Sequence, residues 1–217
     1  DVGDRGHPEG HSEHHQGGFV QGAPGFEERL KTGIAASVRH PQIAYPAGDL
    51  WNGPWAKQPH HCVSYDSCHD NHALWDKLAL TTKGLKNADR LAMNRLAAAI
   101  VLTSQGIAFL HAGEEMARSK KGHENTYNLP DSVNAMDWRR KEKYAGLVAY
   151  YRGLIALRKA HPAFRLKTAT DIRRGLAFLN MPAPGMVGYI LQSPAGGNLF
   201  AVVFNATARR RTVKLPA

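Results

Sequence analysis

The sequence predicts an α/β fold: part of a (β/α)8 barrel, running on into antiparallel β strands. Three observations predict it. Two short β-type runs, 63–68 and 107–110, each end in polar side chains of the kind that do chemistry, and barrels present chemistry at the carboxyl ends of their strands. Long amphipathic stretches, 88–105 and 144–161, follow these runs. The last third of the chain breaks into strand-like pieces separated by Pro- and Gly-rich turns.

At 217 residues, 43% of them hydrophobic, the chain is long enough for a domain of ordinary size with or without a small appendage. No apolar run approaches the ~20 residues of a membrane span. The first residues, Asp1-Val2-Gly3-Asp4-Arg5, have no leader-type character, and the compartment stays open between cytoplasmic and secreted. The formal charge is +10. Its basic residues are scattered apart from Arg139-Arg140-Lys141 and Arg209-Arg210-Arg211, and no nucleic-acid motif accompanies them. We read the charge as a solvated surface.

Residues 1–25 are rich in Gly, Pro, His and acids and read as a polar, mobile arm. His7, His11, His14 and His15 would share a face only on a helix, which Pro8, Gly10, Gly17 and Gly18 oppose. Phe26, Leu30 and Ile34 then mark a short helix over 25–37. Residues 38–60 are a loop, with Trp51 and Trp55 bracketing Gly53-Pro54 and equally suited to sugar stacking and to pinning the loop. The run 63–68 contains Asp66; on a regular strand Asp66, Cys68 and Asp70 would point the same way. A lone buried carboxylate there would be costly and its pKa raised; exposure at an unpaired edge is the alternative. Cys62 and Cys68 stand roughly 20 Å apart on an extended chain, too far for a disulfide.

In the stretch 88–105, Leu91, Leu96, Ile100 and Val101 form an apolar stripe that Gly106 ends. The run 107–110 feeds His111 and a Gly113-Glu114-Glu115 turn. A long Asn-rich loop over 117–143 is of the kind that carries function in barrels. The stretch 144–161 is stopped by Pro162. Strands are expected over 176–180, 187–192, 199–205 and 212–215. This divides the chain into an arm (1–25), a barrel region (26–165) and an incomplete β domain (166–217).

Three segments carry a resemblance. Tyr65-x-Ser67-x-His69-Asp70-Asn71-His72-x-Leu74-Trp75-Asp76-Lys77-Leu78 resembles the seventh-strand motif of the pullulanase branch of the α-amylase superfamily. The segment Phe109-Leu110-His111-Ala112-Gly113-Glu114-Glu115-Met116 resembles its eighth-strand segment. Asn125-Thr126-Tyr127-Asn128 and Asp131-Ser132-Val133-Asn134 resemble the substrate-side loop after it. The three occur in the family's order. The resemblance implies the seventh and eighth strand–helix units of the barrel, followed by the first strands of a C-terminal β-sandwich. It implies hydrolysis of α-1,6 links in pullulan or branched α-glucans.

Asp70 matches the family's third carboxylate, which binds ring hydroxyls and stabilises the oxocarbenium-like transition state; His69 matches its neighbour in that subsite. Asn71, His72, Trp75, Asn125, Tyr127, Asn128 and Asp131 are the expected sugar contacts. Trp75 would offer an apolar face to sugar or to protein packing. For Asn125, Tyr127, Asn128 and Asp131 the plainer role is turn-forming and capping. Asp66 departs from the pattern, which has an aliphatic residue there. The strand-four nucleophile and strand-five acid have no match. Hydrolysis by this chain alone would therefore need other carboxylates: Asp70 with Glu114 or Glu115 on the adjacent strand end, or Asp131 on the loop. A catalytically incomplete α-glucan-binding chain is the alternative. No metal ligands or cofactor are expected; Ca²⁺, common among the family, is not derivable. Unpaired strand edges make self-association a further expectation.

Overall fold

The computed structural model describes residues 16–45 and 53–216. The four histidines at positions 7–15 and Trp51 lie outside these residues.

The chain enters through a 3₁₀ turn, Phe19–Gln21, within the stretch expected to be a polar arm. Phe19 is instead buried in the core. Helix α1 (Glu27–Ile34) buries Leu30 and Ile34, the i and i+4 positions of its apolar stripe. Strand β1 is only Val63–Ser64. Helices α2 (Leu74–Thr81) and α3 (Asn87–Thr103) carry the chain back to β2 (Ile107–Ala108). β2 pairs with β1 in parallel, Val63 opposite Ile107 and Ser64 opposite Ala108. Parallel strands need such a helical crossover. The start of α3 is fixed by Asp89, whose carboxylate accepts the Lys86 N–H at 3.2 Å.

The loop expected over 117–143 contains two short helices, α4 (Asp131–Asn134) and α5 (Arg139–Lys143). Helix α6 (Ala145–Ala160) packs on α3 through Leu147 and Tyr151, in a cluster with Ala98 and Leu102. Helix α7 (Ala169–Gly175) opens with Thr168 Oγ1 accepting from Asp171 N at 3.0 Å, an N-cap. It leads into an antiparallel sheet of β3 (Leu176–Phe178), β4 (Met186–Leu191) and β5 (Phe200–Asn205), in that spatial order.

The expected strand over 212–215 is irregular. Asn205 closes a turn ahead of it, its amide donating to Arg209 O at 3.0 Å, and the chain leaves the sheet. Central β4 is almost wholly buried, and Val187, Tyr189 and Leu191 share one cluster with Ile34, Ile100, Phe164 and Ile172. One apolar core therefore runs through both the helical part and the antiparallel sheet.

That junction is tied by buried polar groups whose partners are all backbone or hydroxyl. The Arg158 guanidinium donates to the carbonyls of Leu102, Ser104, Phe164 and Gly106 at 3.1, 2.6, 2.8 and 2.7 Å. These include orphan carbonyls of the α3 carboxyl end. Gln105 donates to Ala163 O and accepts from Leu166 N, both at 2.9 Å. Tyr189 donates to Thr103 O at 2.9 Å. Gly106 sits at φ +84°, and a Cβ there would come within 2.9 Å of Cys62 O; only glycine fits between β1 and β2.

The outer edge of β3 is covered. The Gln42 side chain donates to Phe178 O and accepts from Phe178 N at 3.0 and 2.9 Å, and His40 Nε2 lies 3.0 Å from Leu176 O. An amide side chain thus takes the place of a neighbouring strand. On the parallel pair, by contrast, Val63, Ile107 and Phe109 are 44%, 49% and 42% exposed.

Candidate active site

The polar cluster expected after the first strand does lie there, but the strand is shorter than its sequence suggests. β1 stops at Ser64, so the alternation through Asp66, Cys68 and Asp70 is lost. Asp66 turns its carboxyl inward: both oxygens are shielded from water without a protein donor. Asp70 goes outward, with His69 beside it. Their side chains are 74% and 85% exposed, and His69 Nε2 lies 3.3 Å from Asp70 Oδ2. Asn71 follows at φ +60°, a conformation Asn tolerates better than most residues. His72 is half-buried. Neither cysteine is in a disulfide; Cys62 is buried and Cys68 partly exposed.

Trp75 is half-buried on α2 and packs against Tyr144, ring centroids 5.5 Å apart. Part of the indole therefore serves protein packing. Trp55 is 52% exposed.

After β2 the chain turns through Glu114–Met116, a 3₁₀ turn entered at Gly113, φ +98°. The two glutamates expected as partners of Asp70 are both engaged elsewhere. Glu114 is 4% exposed, accepts a hydrogen bond from the Ser67 hydroxyl, and lies against Asp66. Its Oε2 has no donor. Burial, then the charge of Asp66, pushes Glu114 well above the carboxylate range, and burial pushes Asp66 up as well. Burial and the nearness of the other carboxyl both disfavour ionisation of the pair. Glu115 accepts from Gly113 N at 3.1 Å and so closes its own turn. The pairing of Asp70 with Glu114 across adjacent strand ends is therefore not what the fold builds. Asp70 faces solvent and Glu114 faces the interior.

His111 is buried and held by Arg118, whose Nη1 lies 3.2 Å from Nε2. Burial first, then the nearby positive charges of Arg118 and Lys120, lowers its pKa to about 4, so the ring is neutral at pH 7. Arg118 also donates to Ala112 O and Asn134 O, each at 3.0 Å. Asn134 in turn donates to Thr126 O and Leu129 O at 2.7 and 2.8 Å. This chain of contacts fixes the segment bearing Asn125, Tyr127, Asn128 and Asp131. All four are exposed, Tyr127 at 86%.

A second set of contacts was not foreseen. Asp76, buried on α2, accepts from Ser119 Oγ at 2.5 Å and from Lys120 N at 2.6 Å. Lys120, also buried, donates through Nζ to His69 O at 3.0 Å. The signal available in the sequence was Asp76 itself, within the Trp75-Asp76-Lys77 motif; the role of Lys120 is visible only in three dimensions.

Chemically, this end of the molecule offers an exposed carboxylate–imidazole pair and an exposed tyrosine–amide loop, set on a braced polar base. Among the described residues no cluster of three or more His, Cys, Asp or Glu is placed to hold a metal ion. None of the described helices is long and apolar enough to cross a membrane.

No family model matches the chain. Relatives do. It is 40% identical over 164 residues to a pullulanase of Bacillus subtilis, which covers 76% of this chain and 22% of that protein. It is 32% identical over 114 residues to an isoamylase of a Flavobacterium species. Among solved structures, the pullulanase of Paenibacillus barengoltzii in complex with maltohexaose and α-cyclodextrin superposes with a TM-score of 0.84. It is 46% identical, over 94% of this chain and 31% of that one. The pullulanase of an Anoxybacillus species complexed with maltotetraose gives 0.84 at 35% identity. The chain spans about a fifth of the length of the Bacillus subtilis relative and under a third of the Paenibacillus one.

Proposed function

Because this chain is a pullulanase-like segment of the α-amylase superfamily, we propose that it supplies part of the sugar site of a starch-debranching glycoside hydrolase. The substrate would be pullulan or branched α-glucan and the bond an α-1,6 link. In this reading β1 and β2 are the seventh and eighth strands of a (β/α)8 barrel, and β3–β5 begin a C-terminal β domain. The apolar residues left open on the parallel pair, Val63, Ile107 and Phe109, are where further barrel strands would lie.

The observation that carries the reading is the joint exposure of His69 and Asp70 at the carboxyl end of β1, with their backbone held from the next loop. The carboxylate of Asp70 accepts hydrogen bonds from ring hydroxyls, and His69 extends the same contact. As positive charge develops at the anomeric carbon, a fixed carboxylate stabilises it more than it stabilises the ground state. Asn71, Asn125, Tyr127, Asn128 and Asp131 contact sugars further along the glucan. The nucleophile and proton donor that glycoside hydrolysis needs would come from barrel units that this chain does not contain.

The burial of Glu114 favours a second reading, glucan binding without hydrolysis, for the chain taken alone. Purified chain incubated with pullulan decides between them. Reducing sugar released by the parent and lost in Asp70→Asn supports the hydrolase. Maltohexaose bound with no sugar released supports the binding chain. Neither binding nor release would overturn both.

A further inference from the structure

The loops after β1 and β2 are joined by one short relay. Asp76 Oδ1 and Oδ2 take the Ser119 hydroxyl and the Lys120 amide. Ser119 Oγ then accepts from Lys121 N at 3.0 Å. This knot holds the backbone in a shape it would not choose, with Ala117 and Lys121 at φ +55° and +56°. Such conformations persist only where the surroundings over-determine them. The knot aims the Lys120 side chain away from solvent and across to the other loop, where its ammonium meets His69 O at 3.0 Å.

That carbonyl belongs to the peptide group joining His69 to Asp70. Fixing its direction fixes the plane from which the Asp70 side chain leaves. The next residue, Asn71, is at φ +60°, so without an anchor the turn has extended alternatives of lower backbone energy. Burial first, then the positive charge of Arg118, draws the Lys120 pKa down, and the nearby carboxylates of Asp70 and Asp76 oppose this.

We propose that Asp76 and Lys120 are positioning residues for Asp70: Asp76 shapes the 117–121 return, and Lys120 clamps the His69–Asp70 peptide. Neither touches the sugar. The proposal rests on the reading above only in taking Asp70 as the group that must be aimed.

The test uses the ¹⁵N-labelled chain as parent, Asp76→Asn, Lys120→Met and Lys120→Arg, with Glu142→Gln as a surface control. Lys120→Met and Asp76→Asn are expected to move the amide resonances of His69, Asp70 and Asn71. They should weaken maltohexaose binding about tenfold, the equivalent of one well-aligned charge-assisted hydrogen bond. Lys120→Arg, which keeps a donor, should restore most of both; the control should change neither. If Lys120→Met fails to fold, the isosteric Asp76→Asn carries the same test. Moved resonances in a parent that binds no maltohexaose would uphold the positioning and refute the glucan reading. Folded variants with unmoved 69–71 resonances would overturn the positioning, whatever their affinity.

Discussion

The two ends of the β1–β2 pair handle buried polar groups in opposite ways. At the amino end of β2, Arg158, Gln105 and Tyr189 are enclosed with partners at 2.6–3.1 Å. At the carboxyl end, Asp66 and Glu114 share an enclosure with too few donors, and Arg118 Nε has no acceptor. Beneath them Tyr151 donates to Asn94 at 3.0 Å, yet Asn94 Nδ2 is left over. All the buried side-chain atoms without a partner among the described residues belong to this end or to the pair beneath it. Positive φ does not separate the two ends: Asn71, Ala117 and Lys121 lie at this one, and Ala36 and Ser37 pack beside Gly106 and Cys62 at the other. One end is built for stability; the other gives some up, as functional ends of folds do.

The sharpest way to break this contrast is Arg158→Met. It keeps the apolar stem and orphans four carbonyls. We expect a loss of about 3–5 kcal/mol, read as a shift in the urea midpoint. A change below about 1 kcal/mol would mean that the junction is not held there. The opposite sign is expected at the other end. Asp66→Val removes a buried acid and should stabilise by about 1–2 kcal/mol at pH 8; destabilisation would show that the Asp66–Glu114 pair contributes to the fold.

The pH dependence sharpens the same point. Glu114 has a folded pKa above its unfolded one, so the folded state holds the extra proton. Its burden is absent below about pH 4.5 and grows as pH rises, on the order of 1 kcal/mol per unit at most. His111 works the other way. Its pKa is depressed to about 4, so protonation of the unfolded chain draws stability away as pH falls from about 6.5 to 4. Melting temperature against pH should therefore fall on the alkaline side in the parent and less steeply in Glu114→Gln. Equal slopes would place the titrating group elsewhere. The smallest stability effect is expected at Tyr127→Ala, within about 0.5 kcal/mol, since the ring is 86% exposed.

The elements legible in the sequence were those with long periodicity. α3 and α6 fall within a residue or two of expectation because a stripe of Leu, Ile and Ala repeated over four turns leaves little choice. The first strand was read too long: 63–68 has β propensity, but Asp66 and Ser67 turn aside to meet Glu114, a contact no local pattern contains. Helices α2 and α7 went unread although Thr168 and Asp171 form a visible cap. In the site, the residues of the motifs were legible as types, and His69 and Asp70 emerge exposed together. What was not legible was enclosure. Glu114 reads as an available acid until the fold buries it, and Lys120 reads as a surface charge until the fold turns it inward.

The measurement that bears most directly on the central claim is a calorimetric titration of maltohexaose into the parent chain and into Asp70→Ala. Saturable heat in the parent, weakened at least tenfold in a folded Asp70→Ala, is the result predicted for a glucan site built around Asp70. No heat in a folded parent, or equal affinity in the two, would contradict it.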